Sequence, residues 1–212
     1  MHGNQNLIAS GSKDKSILIW DIRSQELVSK LEGHRQEICG LKWSNEGNCL
    51  ASGGNENWVC LWNFRMNKLE SKLTEHTAAV KALAWSPHQH SLLATGGGST
   101  DKTIKLWNTW EERCLKTIET GSQVCNMTYC NNTNELVSTH GFSLNAVNVW
   151  SGESMRKVAS LQGHTYRVLY LSKSPDEDTI VTGSGDQTLR FWRIYTPCKS
   201  REGQLEGSHS LR

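Results

Sequence analysis

Short runs of alternating apolar and polar residues follow one another along almost the whole chain, and turn-forming residues separate them. In one stretch Cys39, Leu41 and Trp43 alternate, which places them on one face of a strand. A second strand carries Ala51, a third carries Trp58, Cys60 and Trp62 on a shared face, and a fourth holds Leu69 and Leu73. Asn45-Glu46-Gly47-Asn48, Asn55-Glu56-Asn57 and Met66-Asn67-Lys68 lie between them, each rich in residues that accept tight turns. No segment shows the spacing of an amphipathic helix. The pattern predicts an all-β chain of short antiparallel strands.

A longer period sits on top of the short one. Trp20, Trp62, Trp107, Trp150 and Trp192 are spaced by 42, 45, 43 and 42 residues, and each ends an alternating segment such as Ile17-Leu18-Ile19-Trp20 or Leu189-Arg190-Phe191-Trp192. Upstream of each comes a small-residue strand (Ala9-Ser10-Gly11, Ala51-Ser52-Gly53, Ala94-Thr95-Gly96, Val137-Ser138-Thr139, Val181-Thr182-Gly183). Gly33-His34, Glu75-His76 and Gly163-His164 come earlier still. A period of about 40–45 residues with Gly-His and a terminal Trp is that of WD repeats, one four-stranded propeller blade per repeat. The blades predicted are 1–31, 32–73, 74–118, 119–161 and 162–194. Residues 195–212 are polar and unpatterned, and read as a flexible C-terminal tail. Three strands in the first blade, four in each of the next three and three in the last make an incomplete propeller of about four and a half blades. Its open edges would leave backbone groups unpaired, so the chain is expected to be a fragment, a truncated product or a piece requiring a partner.

Composition removes several classes of function. The net charge is +2 and no block of like charge occurs, which argues against nucleic acid and membrane surfaces as partners. Nothing near the N-terminus reads as a signal peptide and no apolar run approaches bilayer length, so the expectation is an intracellular, soluble protein. The seven cysteines form no cluster with metal-ligand spacing, and read as reduced, small buried hydrophobes. No metal and no cofactor is expected. Asn126-Met127-Thr128 and Asn131-Asn132-Thr133 match a glycosylation sequon that has no meaning without export. Gly96-Gly97-Gly98-Ser99-Thr100-Asp101-Lys102 lacks the spacing of a phosphate loop and precedes a strand, not a helix.

Each repeat also offers a His, a hydroxyl, an acid and a Trp, as His164, Thr182, Asp186 and Trp192 do in the last. A catalytic triad would occur once; a set recurring in every blade ties loops to strands. Glu56 stands where Asp14, Asp101 and Asp186 sit elsewhere, and the fourth repeat lacks both the His and the Asp, so those two blades are expected to be looser. In a meander of four strands, the turn between the second and third strands shares an end with the loop between blades. Asn55, Asn57, Ser99, Gln123 and Arg167 therefore fall on one rim, drawn from four blades, with Glu37 and Ala79 as counterparts of Gln123 and Arg167. Amides with one Arg suit an extended peptide carrying a carboxylate and an amide, although spacing alone favours ordinary turn chemistry.

Several stretches are more specific than generic WD repeats. Gly33-His34-Arg35-Gln36-Glu37-Ile38-Cys39-Gly40-Leu41-Lys42-Trp43-Ser44, Gly121-Ser122-Gln123-Val124-Cys125-Asn126 and Glu135-Leu136-Val137-Ser138-Thr139-His140-Gly141-Phe142 resemble the Fizzy and Fizzy-related family. So do Ala79-Val80-Lys81-Ala82-Leu83-Ala84-Trp85-Ser86-Pro87 and Arg167-Val168-Leu169-Tyr170-Leu171, and Ser86-Pro87-His88-Gln89-His90 resembles the Fizzy-related branch more closely. The resemblance spans roughly residues 7–194. It implies part of a seven-bladed activator of the anaphase-promoting complex, found in nucleus and cytoplasm, that presents cell-cycle proteins for ubiquitination. Its partners would be anaphase-promoting complex subunits and degron-bearing substrates. The positions matching the family's Lys-Glu-Asn degron pocket are Asn55, Asn57, Ser99, Gln123 and Arg167, with Ser99 where Thr is frequent. A destruction-box groove would need an acid where Gln187 stands, together with the missing first blade. The ending Leu211-Arg212 resembles the family's Ile-Arg ligase-docking tail, whereas the N-terminal docking segment has no counterpart. The competing reading is a truncated WD-repeat scaffold whose open edges bind other proteins without activating a ligase. An enzyme finds little support, since no nucleophile and base occur together only once in the sequence.

Overall fold

The computed structural model describes residues 6–194, and among them every regular element is a strand. Eighteen strands form five antiparallel sheets, each a meander in chain order. The first sheet holds β1 (Leu7–Gly11), β2 (Ser16–Asp21) and β3 (Leu27–Glu32). The second holds β4 (Ile38–Trp43), β5 (Cys49–Gly54), β6 (Val59–Asn63) and β7 (Lys68–Leu73). The third comprises β8 (Val80–Trp85), β9 (Leu92–Gly97), β10 (Thr103–Asn108) and β11 (Arg113–Glu119). The fourth comprises β12 (Val124–Tyr129), β13 (Glu135–His140), β14 (Val147–Ser151) and β15 (Lys157–Leu161). The last is β16 (Val168–Lys173), β17 (Thr179–Ser184) and β18 (Leu189–Arg193). The strand division read from the sequence is the one observed.

Successive inner strands β4, β8, β12 and β16 touch one another, so the sheets are blades fanned around a common channel. Apolar clusters fill the seams between blades. Ile17, Ile19 and Leu31 pack against Leu50, Leu41 and Trp62 in the first seam, and Leu61 and Leu73 against Leu83, Trp85 and Trp107 in the second. Ala94 and Ile104 meet Met127, Leu136 and Trp150 in the third, and Val137 and Val147 meet Val168 and Ile180 in the fourth. Fully burying one such Leu, Ile or Val contributes about 1.5–3 kcal/mol, which makes the seams the main source of stability. The blades converge closely at their inner edge. A Cβ on Gly53 would stand 2.1 Å from the Val80 carbonyl oxygen, and one on Gly40 would stand 2.2 Å from that of Lys81.

Every inner strand carries a bulge near its start, between Ile38 and Gly40, Val80 and Ala82, Val124 and Asn126, and Val168 and Tyr170. The bulge corrects one expectation. The extra residue breaks the alternation, so Ile38 joins Leu41 and Trp43 in the seam while Cys39 lines the channel.

In the four blades after the first, the polar set closes as a chain. His76 Nδ1 donates to Asp101 Oδ2 (2.8 Å), Thr95 Oγ1 donates to His76 Nε2 (2.6 Å), and Trp107 Nε1 donates to Thr95 Oγ1 (2.8 Å). His164, Asp186, Thr182 and Trp192 repeat this with contacts of 2.9, 2.9 and 2.8 Å. Burial alone would raise the pKa of Asp101, but hydrogen bonds from His76, Thr103 and the Thr77 N–H outweigh it and hold the carboxyl well below its ordinary range. The two blades expected to be loose are closed as well. Glu56, one methylene longer than Asp, reaches His34 Nδ1, while Ser52 Oγ lies 2.6 Å from His34 Nε2 and accepts from Trp62 Nε1 at 2.7 Å. In the fourth blade the ring comes from within the strand: His140 Nε2 meets Ser138 Oγ at 2.7 Å, His140 Nδ1 meets Ser122 Oγ at 3.1 Å, and Trp150 Nε1 donates to Ser138 Oγ at 2.7 Å.

Burial lowers the His140 pKa from 6.5 to about 4. Between those values the unfolded chain binds a proton that the folded chain refuses. Stability is therefore complete above pH 6.5 and falls by up to about 3 kcal/mol as the pH drops to 4. Urea midpoints measured across this window should decline for the native chain and stay much flatter for His140→Gln. Parallel declines would remove His140 as the titrating group.

Candidate peptide-binding surface

Four of the predicted residues owe their place to hydrogen bonds between the turn that follows each blade's second strand and the loop that enters its first. The Asn55 N–H donates to Glu37 O at 2.9 Å, the Gly141 N–H to Gln123 O at 2.9 Å and the Gly185 N–H to Arg167 O at 3.1 Å. These bonds bring Asn55, Asn57, Gln123 and Arg167 to the same end of the blades. In the third blade, Gly98 packs against Ala79, which brings the neighbouring Ser99 to that end also. Asn55 and Ser99 are exposed, whereas Asn57, Gln123 and Arg167 are half-buried.

Gln123 and Arg167 converge most closely. A Cβ on Gly141 would lie 2.8 Å from Gln123 Oε1 and 3.4 Å from Arg167 Cδ, so the bare backbone of Gly141 is what lets the two side chains flank it. The guanidinium carbon of Arg167 lies 5.2 Å from the centre of the Phe142 ring, which in turn meets Tyr166 edge-on at 4.9 Å. Stacking of this kind orients the planar guanidinium without using its donors. Arg167 Nε is buried without a hydrogen-bond partner among the described residues. In the second blade Asn55 Nδ2 donates to Glu37 Oε2 at 3.3 Å. The Glu37 carboxyl accepts from its own N–H and from Asn55, and both lower its pKa. Asn57 has a second reason for its place. Its φ of 72° is the left-handed conformation, and Lys15, Lys102 and Gln187 hold the same turn position at 74°, 57° and 64°.

Two further groups of this surface lie outside the pattern of amides and one Arg. Glu37 is the counterpart of Gln123, and its acidity and place before the first strand are its signal in the sequence. Phe142, half exposed in the turn between β13 and β14, is the aromatic shelf beneath Arg167. Leu211 and Arg212 lie outside the described residues, as does the tail expected over 195–212. Among the described residues no three His, Cys, Asp or Glu side chains are grouped to hold a metal, and no helix is long and apolar enough to cross a membrane.

Residues 1–192 match the family model for the CDC20/Fizzy WD40 domain. The chain is 56% identical over 202 residues to Protein FIZZY-RELATED 2 of Arabidopsis thaliana, covering 95% of this chain and 42% of that protein. It is 54% identical over 210 residues to the B-type cell cycle switch protein ccs52A of Medicago truncatula, covering 98% of this chain and 44% of the relative. A chain from the crystal structure of a mitotic checkpoint complex superposes with a TM-score of 0.87 at 40% identity, covering 91% of this chain and 60% of the other. The chain thus spans less than half the length of these curated relatives.

Proposed function

The chain belongs to the CDC20/Fizzy WD40 family, on its Fizzy-related branch, and from that premise we propose that it is the substrate-recognition part of an anaphase-promoting complex activator. Its rim holds the Lys-Glu-Asn degron of cell-cycle proteins and presents them for ubiquitination. The observation that carries the proposal is the meeting of Gln123 and Arg167 across Gly141, with Arg167 stacked on Phe142 and its Nε unpartnered. A guanidinium held this way offers two parallel donors to the degron's Glu carboxylate. The amides of Asn55, Asn57 and Gln123 can both donate and accept, as the degron's Asn side chain and backbone require, and the Ser99 hydroxyl adds a further group of that kind. Glu37, kept ionised by its hydrogen bonds, supplies the counter-charge for the degron's Lys. Recognition makes and breaks no covalent bond; the chain supplies orientation and the ligase supplies chemistry. The role places the protein in nucleus and cytoplasm. Gln187 lies exposed where a destruction-box groove would need an acid, so that degron is not part of the proposal.

Fluorescence anisotropy with a labelled Lys-Glu-Asn peptide tests the proposal. Binding should saturate, and a peptide with three alanines in place of the motif should bind at least about tenfold more weakly, a difference of about 1.4 kcal/mol. Equal affinity for the two peptides refutes it. The reading as a scaffold rests on Leu189 and Phe191, which are 70% and 73% exposed on β18. It predicts self-association or capture of a partner at that face, and a well-behaved monomer by light scattering counts against it.

A further inference from the structure

The inner strands β4, β8, β12 and β16 line a cavity of about 370 Å³, open on one side, that plays no part in the rim. Lys42, Lys81 and Lys173 line it together with Asn126, Thr128 and Ser172, and among the described residues no carboxylate contributes to the lining. Two of the three ammonium groups are engaged. Lys173 Nζ donates to Glu177 Oε1 at 2.6 Å and to Tyr129 O at 3.4 Å, and Lys81 Nζ lies 5.5 Å from the centre of the Tyr170 ring. Lys42 Nζ has no ion pair or hydrogen bond among the described residues. Partial burial between the strands, followed by repulsion from Lys173, holds the Lys42 pKa below the ordinary lysine value. Solvent nevertheless reaches its side chain, so a ligand can as well.

Blade architecture does not require this charge. Ala84, Thr128 and Ser172 stand at the position of Lys42 on the other three inner strands. Asn126 Oδ1 accepts the Met127 N–H at 2.8 Å, which leaves its NH2 to donate. Two lysines without an acid partner, a third already paired with Glu177, amide and hydroxyl donors and the volume of an ordinary ligand site describe a receptor for a compact multivalent anion. We propose that the channel binds a small phosphate-bearing anion, with Lys42 as its main cation and Lys81 and Lys173 beside it. Phosphate oxygens suit both the point charges of lysine and the neutral donors around them.

Calorimetric titration of the purified full chain with sodium tripolyphosphate, in about 150 mM NaCl so that long-range attraction is screened, tests the site. One ion should bind per chain, and Lys42→Thr should weaken it at least about tenfold. Threonine already occupies this position as Thr128, and peptide capture at the rim should be unchanged. Lys68→Thr, at the exposed start of β7, is the control and should bind as the native chain does. Should Lys42→Thr fail to fold, Lys81→Cys takes its place, because Cys39 and Cys125 stand at that position on two sister strands. Absence of saturable binding, or equal loss in the channel variant and the control, overturns the proposal.

Discussion

Replacing Arg167 with glutamate should abolish capture of a Lys-Glu-Asn peptide, lowering affinity at least about a hundredfold. Two effects add. The degron carboxylate loses its paired donors, and a like charge then faces it in a half-buried setting. Truncating one partner of a buried, hydrogen-bonded charge pair costs about 2–5 kcal/mol, and reversal of sign costs more. The fold should survive the change, because the side chain makes no hydrogen bond through Nε and its chief contact is the exposed face of Phe142. The bond that places the residue, from the Gly185 N–H to Arg167 O, is made by backbone and stays. Arg167→Lys separates charge from geometry. It retains the cation and loses the fork, so its affinity should fall between the two. Anisotropy measures the binding and circular dichroism the fold; native affinity in a folded Arg167→Glu chain would eliminate the pocket.

The frame of this molecule was legible because its signals repeat. Five tryptophans and five small-residue strands give the same answer in each blade, so the count of strands and their grouping follow from the sequence. What escaped was everything that depends on a single residue's reach or on a shift of register. Glu56 in place of Asp predicts a looser blade, yet a longer side chain on the same turn finds His34. His140 lies two residues beyond Ser138 on β13, a position at which no other blade has a ring, and only the folded strand brings it between Ser122 and Ser138. The inner-strand bulge is a local backbone event that carries Cys39 out of the seam, and period-two alternation cannot encode it. At the rim the five predicted residues needed only the meander's alternation of ends. Phe142 and Glu37 gain their meaning from neighbours contributed by another segment of chain, Arg167 and Asn55. The channel escaped for the same reason, since its three lysines are scattered along 132 residues and meet only around the axis.

Gly53→Ala should be among the most destabilising single changes in the molecule, although it adds one methyl group. The new Cβ would sit 2.1 Å from the Val80 carbonyl oxygen, and backbone of an adjacent strand cannot rotate aside as a side chain can. The seam between the second and third blades must open instead, loosening Leu61, Leu83, Trp85 and Trp107. Overpacking of this kind costs about 3 kcal/mol, near the upper end of its usual range, which lowers the thermal midpoint by roughly 6–12 °C in a chain of this size. Gly121→Ala makes the informative comparison. Its φ of 82° strains any side chain, but the nearest atom to its Cβ is 4.0 Å away, so only the backbone term of about 1–2 kcal/mol applies. Gly40→Ala presses on the same seam through Lys81 O at 2.2 Å, and a seam already opened admits the second methyl more cheaply. The double variant Gly40→Ala/Gly53→Ala should therefore lose less than the two single changes added together. Opening that seam also parts the second-blade turn bearing Asn55 and Asn57 from the third-blade turn bearing Ser99. Gly53→Ala should thus weaken peptide capture at temperatures where the chain remains folded. A Gly53→Ala chain that melts with the native one would mean that these two blades do not meet so closely at their inner edge, and the common rim would lose its physical basis.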